Sequence, residues 1–184
     1  RLRANYVGSE MSNGHLYEYD NRGRNTRDTV WVDGTSYATQ YLYDAMSRVA
    51  STTYPDGETV TTTYNPQALP QTLTGSGTYI TNATYDALGR PDLVSLGANG
   101  RQVDYVYYPW TTLNGQGRLQ QLKTGTSGTP TELQNLQYSY DAVGNVLTIV
   151  DSKVTGGPQT QTFTYDALDR LVSASAIGGS AGQG

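Results

Sequence analysis

Cysteine is absent from this 184-residue chain, histidine and phenylalanine occur once each, and charged residues make up only 15% of it. Without cysteine there can be no disulfides, no thiol catalysis and no Cys-based metal site. His15 is the one imidazole and no serine sits in a GxSxG context, so triad chemistry lacks its parts. HExxH, phosphate-loop and EF-hand patterns are missing too. No catalytic, cofactor or metal residue is therefore assigned. No apolar run approaches the roughly 18 residues needed to cross a bilayer, so no membrane span is expected. A net charge of −4 and a pI near 4.8 leave no basic face for phosphates, and nucleic acid is not expected as a partner. The chain does not begin with Met and carries no signal-peptide pattern, as expected of a processed product or a piece of a longer polypeptide.

What is present is repetition. Tyr-Asp followed four residues after the Asp by Arg occurs at Tyr19, Asp20 and Arg24, with Gly23 before the Arg; at Tyr43, Asp44 and Arg48; at Tyr85, Asp86, Gly89 and Arg90; and at Tyr165, Asp166 and Arg170. Degenerate copies fall between: Tyr64 with Asn65, Asn114 with Gly117 and Arg118, and Tyr140 with Asp141 and Gly144. The Asp slots are thus 20, 44, 65, 86, 114, 141 and 166. A period in the twenties marks a repeat architecture, each unit one supersecondary element stacked on its neighbours. A single domain over 1–184 is expected, with about seven repeats across roughly 17–176.

Each corner lies between segments of period two. Upstream, Thr59–Tyr64 puts Val60, Thr62 and Tyr64 on one face, and Gln102–Tyr107 puts Val103, Tyr105 and Tyr107 together. Downstream, Val49–Tyr54, Arg90–Leu96, Leu119–Thr124, Val146–Val150 and Leu171–Ala176 alternate likewise. Alternating β-branched and aromatic residues predict strands, and the corners predict turns. In those turns the Asp side chain bonds the backbone two residues on, and Gly23, Gly89, Gly117 and Gly144 supply positive φ. Asp169 tolerates that conformation; Ser47 and Leu69 suit it less, and the Tyr64 copy is expected to turn differently because of Pro66 and Pro70. Asp33-Gly34, Pro55-Asp56-Gly57 and Asn99-Gly100 predict the second turn of each unit. The fold class is all-β, a repetitive antiparallel hairpin ribbon. With 16 tyrosines, each apolar in body and polar at the tip, a thin wall is favoured over a thick core.

The corner Asp and Arg read as a repeated ion pair or as a charge ladder between repeats, and each Arg can instead lie over the Tyr of the next repeat. Tyrosine rows can also stack sugars; Trp31 and Trp110 are the candidate ligand platforms, Trp110 more so because it follows Pro109 in an insertion. The sequon Asn82-Ala83-Thr84 reads as a chance match. Paired carboxylates in an open groove would open a third, hydrolytic reading. The Gly-rich tail, 178–184, has the composition of a disordered end, and order there would mean pinning by a partner or a neighbouring copy.

Tyr-Asp-Ala-Leu-Gly-Arg, an alternating strand and an Asp-Gly turn together resemble the YD repeat, or Rhs repeat. That resemblance implies a β ribbon spiralling into a hollow shell, as in bacterial polymorphic toxins, insecticidal toxin complexes and teneurins. Toxin-type members end the repeats with an Asp-Pro self-cleavage motif, and no Asp-Pro occurs here, so cleavage and a toxic payload are not carried over. The implied role is a non-enzymatic wall segment of a secreted or surface protein, enclosing or presenting another domain. The alternatives are a self-assembling subunit of an extracellular fibre or sheath, and a glycan-binding or adhesion module. Partners follow accordingly: further repeats of the same or a longer chain, further copies as oligomer or filament, or a glycan.

Overall fold

Alternation of Thr, Val and Tyr becomes extended backbone from one end of the molecule to the other. A computed structural model of the chain describes residues 4–7, 12–97 and 99–179. The strands are β1 (Ala4–Val7), β2 (Asn13–Tyr19), β3 (Asn25–Val32), β4 (Thr35–Tyr43), β5 (Val49–Thr53), β6 (Thr59–Tyr64), β7 (Pro70–Thr74), β8 (Thr78–Tyr85), β9 (Pro91–Leu96), β10 (Arg101–Tyr107), β11 (Leu119–Thr126), β12 (Gln134–Tyr140), β13 (Val146–Asp151), β14 (Gln159–Tyr165) and β15 (Leu171–Gly178). Their hydrogen-bonded order is their order in the chain. No helix occurs among the described residues. β1 lies upstream of the region in which the repeats were read. Of the Gly-rich tail, Gly178 closes β15 and residues 180–184 lie outside the described residues.

Backbone contacts divide the chain inside β8 into two compact units, Arg1–Thr81 and Asn82–Gly184. The first holds the corners at Asp20, Asp44 and Asn65; the second holds those at Asp86, Asp141, Asp166 and one more described below. Among the described residues, strands touch only the strands before and after them. Each unit is therefore a sheet without a second layer, and burial is correspondingly sparse. Val60, Ala83 and Thr29 are the buried side chains among the described residues, joined by three buried glycines, Gly115, Gly117 and Gly125.

One register rule repeats along both units. The strand pairing slips at six corner tyrosines, so that Tyr19 faces Asn25, Tyr43 faces Val49, Tyr64 faces Pro70, Tyr107 faces Leu119, Tyr140 faces Val146 and Tyr165 faces Leu171. One residue before the tyrosine, hydroxyls pair across the strands: Thr63 with Thr72, Ser139 with Thr148 and Thr164 with Ser173, each at 2.6 Å. Cross-strand pairs of this kind hold register where little apolar area is buried.

Candidate functional site

The corner is a three-residue hairpin loop closed by a bulge. At Asp44 the backbone N–H donates to the Arg48 carbonyl at 2.9 Å and the Ser47 N–H donates back to the Asp44 carbonyl at 3.0 Å; the Asp20, Asp86 and Asp166 corners repeat both bonds. The residue before the Arg takes positive φ: Gly23 (79°), Ser47 (65°), Gly89 (76°) and Asp169 (58°). This is a turn followed by a left-handed residue, the hairpin connection that suits glycine at its third position.

The Asp carboxylate divides its work. Asp44 Oδ1 accepts from the N–H groups of Met46 and Arg48, each at 2.9 Å, while Oδ2 accepts Arg48 Nε and Nη2, each at 2.7 Å. Asp20, Asp86 and Asp166 do the same with Arg24, Arg90 and Arg170. Each of these carboxyls is held below its ordinary value. For Asp20 and Asp44 the first cause is the backbone N–H of the paired Arg, and for Asp166 it is the Arg170 side chain. At Asp86 partial burial pushes upward and the hydrogen bonds from Arg90 outweigh it; at Asp141 Asn145 plays that part.

The same guanidinium then reaches the next repeat. Arg24 lies over the Tyr43 ring at 4.4 Å, Arg48 over Tyr64 at 4.1 Å, Arg90 over Tyr107 at 3.9 Å and Arg118 over Tyr140 at 5.8 Å. The tyrosine hydroxyl returns to the preceding corner: Tyr43 to Asn25 O, Tyr64 to Val49 O, Tyr107 to Pro91 O, Tyr140 to Leu119 O and Tyr165 to Val146 O. The ion pair is internal to a repeat and the cation–π contact joins repeats, so the two readings of the Arg hold at once. Tyr19 and Tyr85 occupy the same slot at the ends of β2 and β8.

Three sequence expectations need correction. The Tyr64 corner does not turn differently: Asn65 N–H donates to Leu69 O and Ala68 N–H to Asn65 O, each at 2.9 Å, and Asn65 Oδ1 accepts from Gln67 and Leu69. Asn supplies the same acceptor as Asp, and neither Pro66 nor Pro70 occupies a position whose N–H the turn uses. The left-handed residue there is Ala68 (φ 64°), not Leu69. The fifth Asp slot is Tyr108, not Asn114: Tyr108 N–H donates to Arg118 O at 2.9 Å and Gly117 N–H to Tyr108 O at 3.1 Å. Pro109–Gln116 is thus an insertion within a corner, and the Tyr107 signal was separated from its Arg by that loop. Tyr108 replaces the carboxylate with a hydroxyl that donates to Tyr138 O at 2.8 Å.

The aromatic platforms fare unequally. Trp110, in the second unit, is 65% exposed, yet its ring lies where a side chain on Gly117 would sit, 2.6 Å from an added Cβ. Trp31, in the first unit, is half-buried in β3. Two grooves were not anticipated. One in the second unit, about 230 Å³, is lined by Tyr108, Gln121, Gln137, Tyr138, Ser139 and Thr148 among others and is largely polar. The other, in the first unit, is open, about 570 Å³, and lined by Tyr37, Tyr54, Pro55, Asp56 and Glu58. Its sequence signal, Pro55-Asp56-Gly57, reads only as a turn. Glu58 Oε1 accepts Ser76 N–H at 2.9 Å, Ser76 Oγ at 2.7 Å and the Tyr79 hydroxyl. Those donors, Tyr79 first, hold Glu58 below the ordinary carboxyl range. Among the described residues no group of three or more His, Asp or Glu is placed to hold a metal ion.

Antiparallel hairpins in chain order, joined by a Tyr-Asp-Arg device, define an all-β hairpin-repeat fold. Solved structures share it: TcdB2-TccC3-Cdc42, at a TM-score of 0.73 and 21% identity, TcdB2-TccC3 without its hypervariable C-terminal region, at 0.72 and 23%, and a Photorhabdus luminescens Tc holotoxin pore with a substituted TccC3, at 0.72 and 23%. The alignments cover 89% of this chain and 9% of each of those chains, so it spans less than a tenth of their length. No protein-family profile and no curated protein matches the sequence.

Proposed function

We propose that the chain is a single YD-repeat β domain, 1–184, that serves as a non-enzymatic wall segment of a secreted or surface protein and encloses or presents another domain of it. The observation that carries this reading is β15. All eight of its residues are exposed, Leu171, Val172 and Ile177 to 57%, 66% and 75%, and it contains no charge and no proline. Among the described residues β15 pairs with β14 alone; natural sheets guard an open edge with Lys, Pro or a covering loop, and this strand has the composition of one that receives another strand. Likeness in fold to chains more than ten times its aligned length supports the same view.

Amide hydrogen exchange tests it. In a longer polypeptide carrying these residues, the outward amides of β15 are expected to exchange far more slowly than in the 184-residue chain. Equal, fast exchange in both would defeat the wall reading. Slow exchange in the isolated chain that deepens with concentration would instead support the second reading, a self-assembling subunit of a fibre or sheath, which the same bare edge favours.

A further inference from the structure

The first unit has a second rim, formed by the turns at Asp33-Gly34, Pro55-Asp56-Gly57 and Gly75-Ser76-Gly77. Residues 32–37, 54–58 and 74–79 contain three carboxylates, Asp33, Asp56 and Glu58, and three tyrosines, Tyr37, Tyr54 and Tyr79, with no Lys or Arg. The tyrosines are well exposed, Tyr37 to 47% and Tyr54 to 45%. This contrasts with the corners of the same unit, where Tyr43 and Tyr64 each lie beneath a guanidinium. Among the described residues no cation is seated over Tyr37 or Tyr54.

We propose that the groove lined by Tyr37, Tyr54, Pro55, Asp56 and Glu58 receives an arginine or lysine side chain of a partner polypeptide. The chemistry is that of the corners with the cation supplied from outside: ring faces attract a guanidinium or ammonium, and a neighbouring carboxylate takes its N–H groups. Both carboxylates are preorganised. Asp56 Oδ1 accepts Glu58 N–H at 3.0 Å, and Glu58 is fixed by Ser76 and Tyr79. A rim without its own cations favours a positive ligand over a neutral one.

The test uses the 184-residue chain and the capped peptide acetyl-Gly-Arg-Gly-amide, titrated at low salt and followed by NMR. Shifts confined to the Tyr37 and Tyr54 rings and the 55–58 backbone are expected, weakening as salt rises. Tyr54→Leu should weaken binding about 3- to 30-fold, the range of a single cation–π contact. Asp56→Asn keeps the turn's hydrogen bond to Glu58 while removing the charge, and should also weaken it. The spectrum of each variant reports its fold directly. The proposal is overturned if the citrulline analogue binds equally well, if neither substitution changes the affinity, if maltose gives the same shifts more strongly, or if no shifts occur. Because the wall reading is tested at β15, the two ideas can fail separately.

Discussion

At the level of the residue, the corner explains both the recurrence of its letters and the cost of departing from them. Ala68 holds φ 64°, a region that costs an alanine about 1–2 kcal/mol and a glycine almost nothing. After the greater unfolded-state freedom of glycine is subtracted, Ala68→Gly should stabilise by about 0.5–1 kcal/mol, read as a higher urea midpoint. Ser47→Gly should gain less, because Ser47 Oγ accepts Arg24 Nη1 at 3.1 Å. Tyr64→Phe keeps the ring under Arg48 but deletes the hydroxyl's 2.7 Å bond to Val49 O, a loss of about 0.5–1.5 kcal/mol by the same measurement.

Between residue and fold stand the elements, and here the insertion at Pro109–Gln116 is instructive. It interrupts a corner without disturbing the strands that the corner joins, because β10 and β11 stay in register from Arg101↔Thr126 to Val106↔Gln121 and slip at Tyr107 as the other corners do. Gly117 has φ 75° and the Trp110 ring against it, so Gly117→Ala is expected to cost about 1–2 kcal/mol from backbone strain and more from the clash. In a Trp110→Ala background the clash share should vanish while the backbone share remains, which a double-mutant cycle in urea measures. For β15, Ala174→Lys with Ala176→Lys places charge on the bare edge. If the isolated chain associates through that strand, light scattering should show the variant shifting towards monomer.

Across the whole molecule, stability rests on repeated polar joints more than on a core. Asp20, Asp44, Asp86, Asp141, Asp166 and Glu58 are all lowered from their ordinary values, 3.8 for the aspartates and 4.5 for Glu58. A carboxyl more acidic in the folded state contributes stability that is fully present above its unfolded pKa and is lost as pH falls through its folded one. The melting temperature should therefore change little between about pH 5 and 8 and drop below about pH 4, where several joints protonate together. Asp44→Asn should flatten that acid limb. A chain whose melting point is unchanged down to pH 2 would contradict this account.

The linear sequence by itself determined the alternating strands beside the corners and six of the seven corners, because period-two alternation and an Asp or Asn followed by a left-handed residue are local instructions. It also foretold that Arg could meet the next tyrosine, since the spacing of repeats is visible along the chain. Tertiary structure decided what depends on register. It moved the fifth corner to Tyr108 across an eight-residue insertion, and it made Asn65 behave as Asp does. It set Tyr37 beside Asp56 through the pairing of Gln40 with Thr53. Residues that meet across strands carry no mark of it in their own neighbourhood, and only the hydrogen-bonded ladder brings them to one groove.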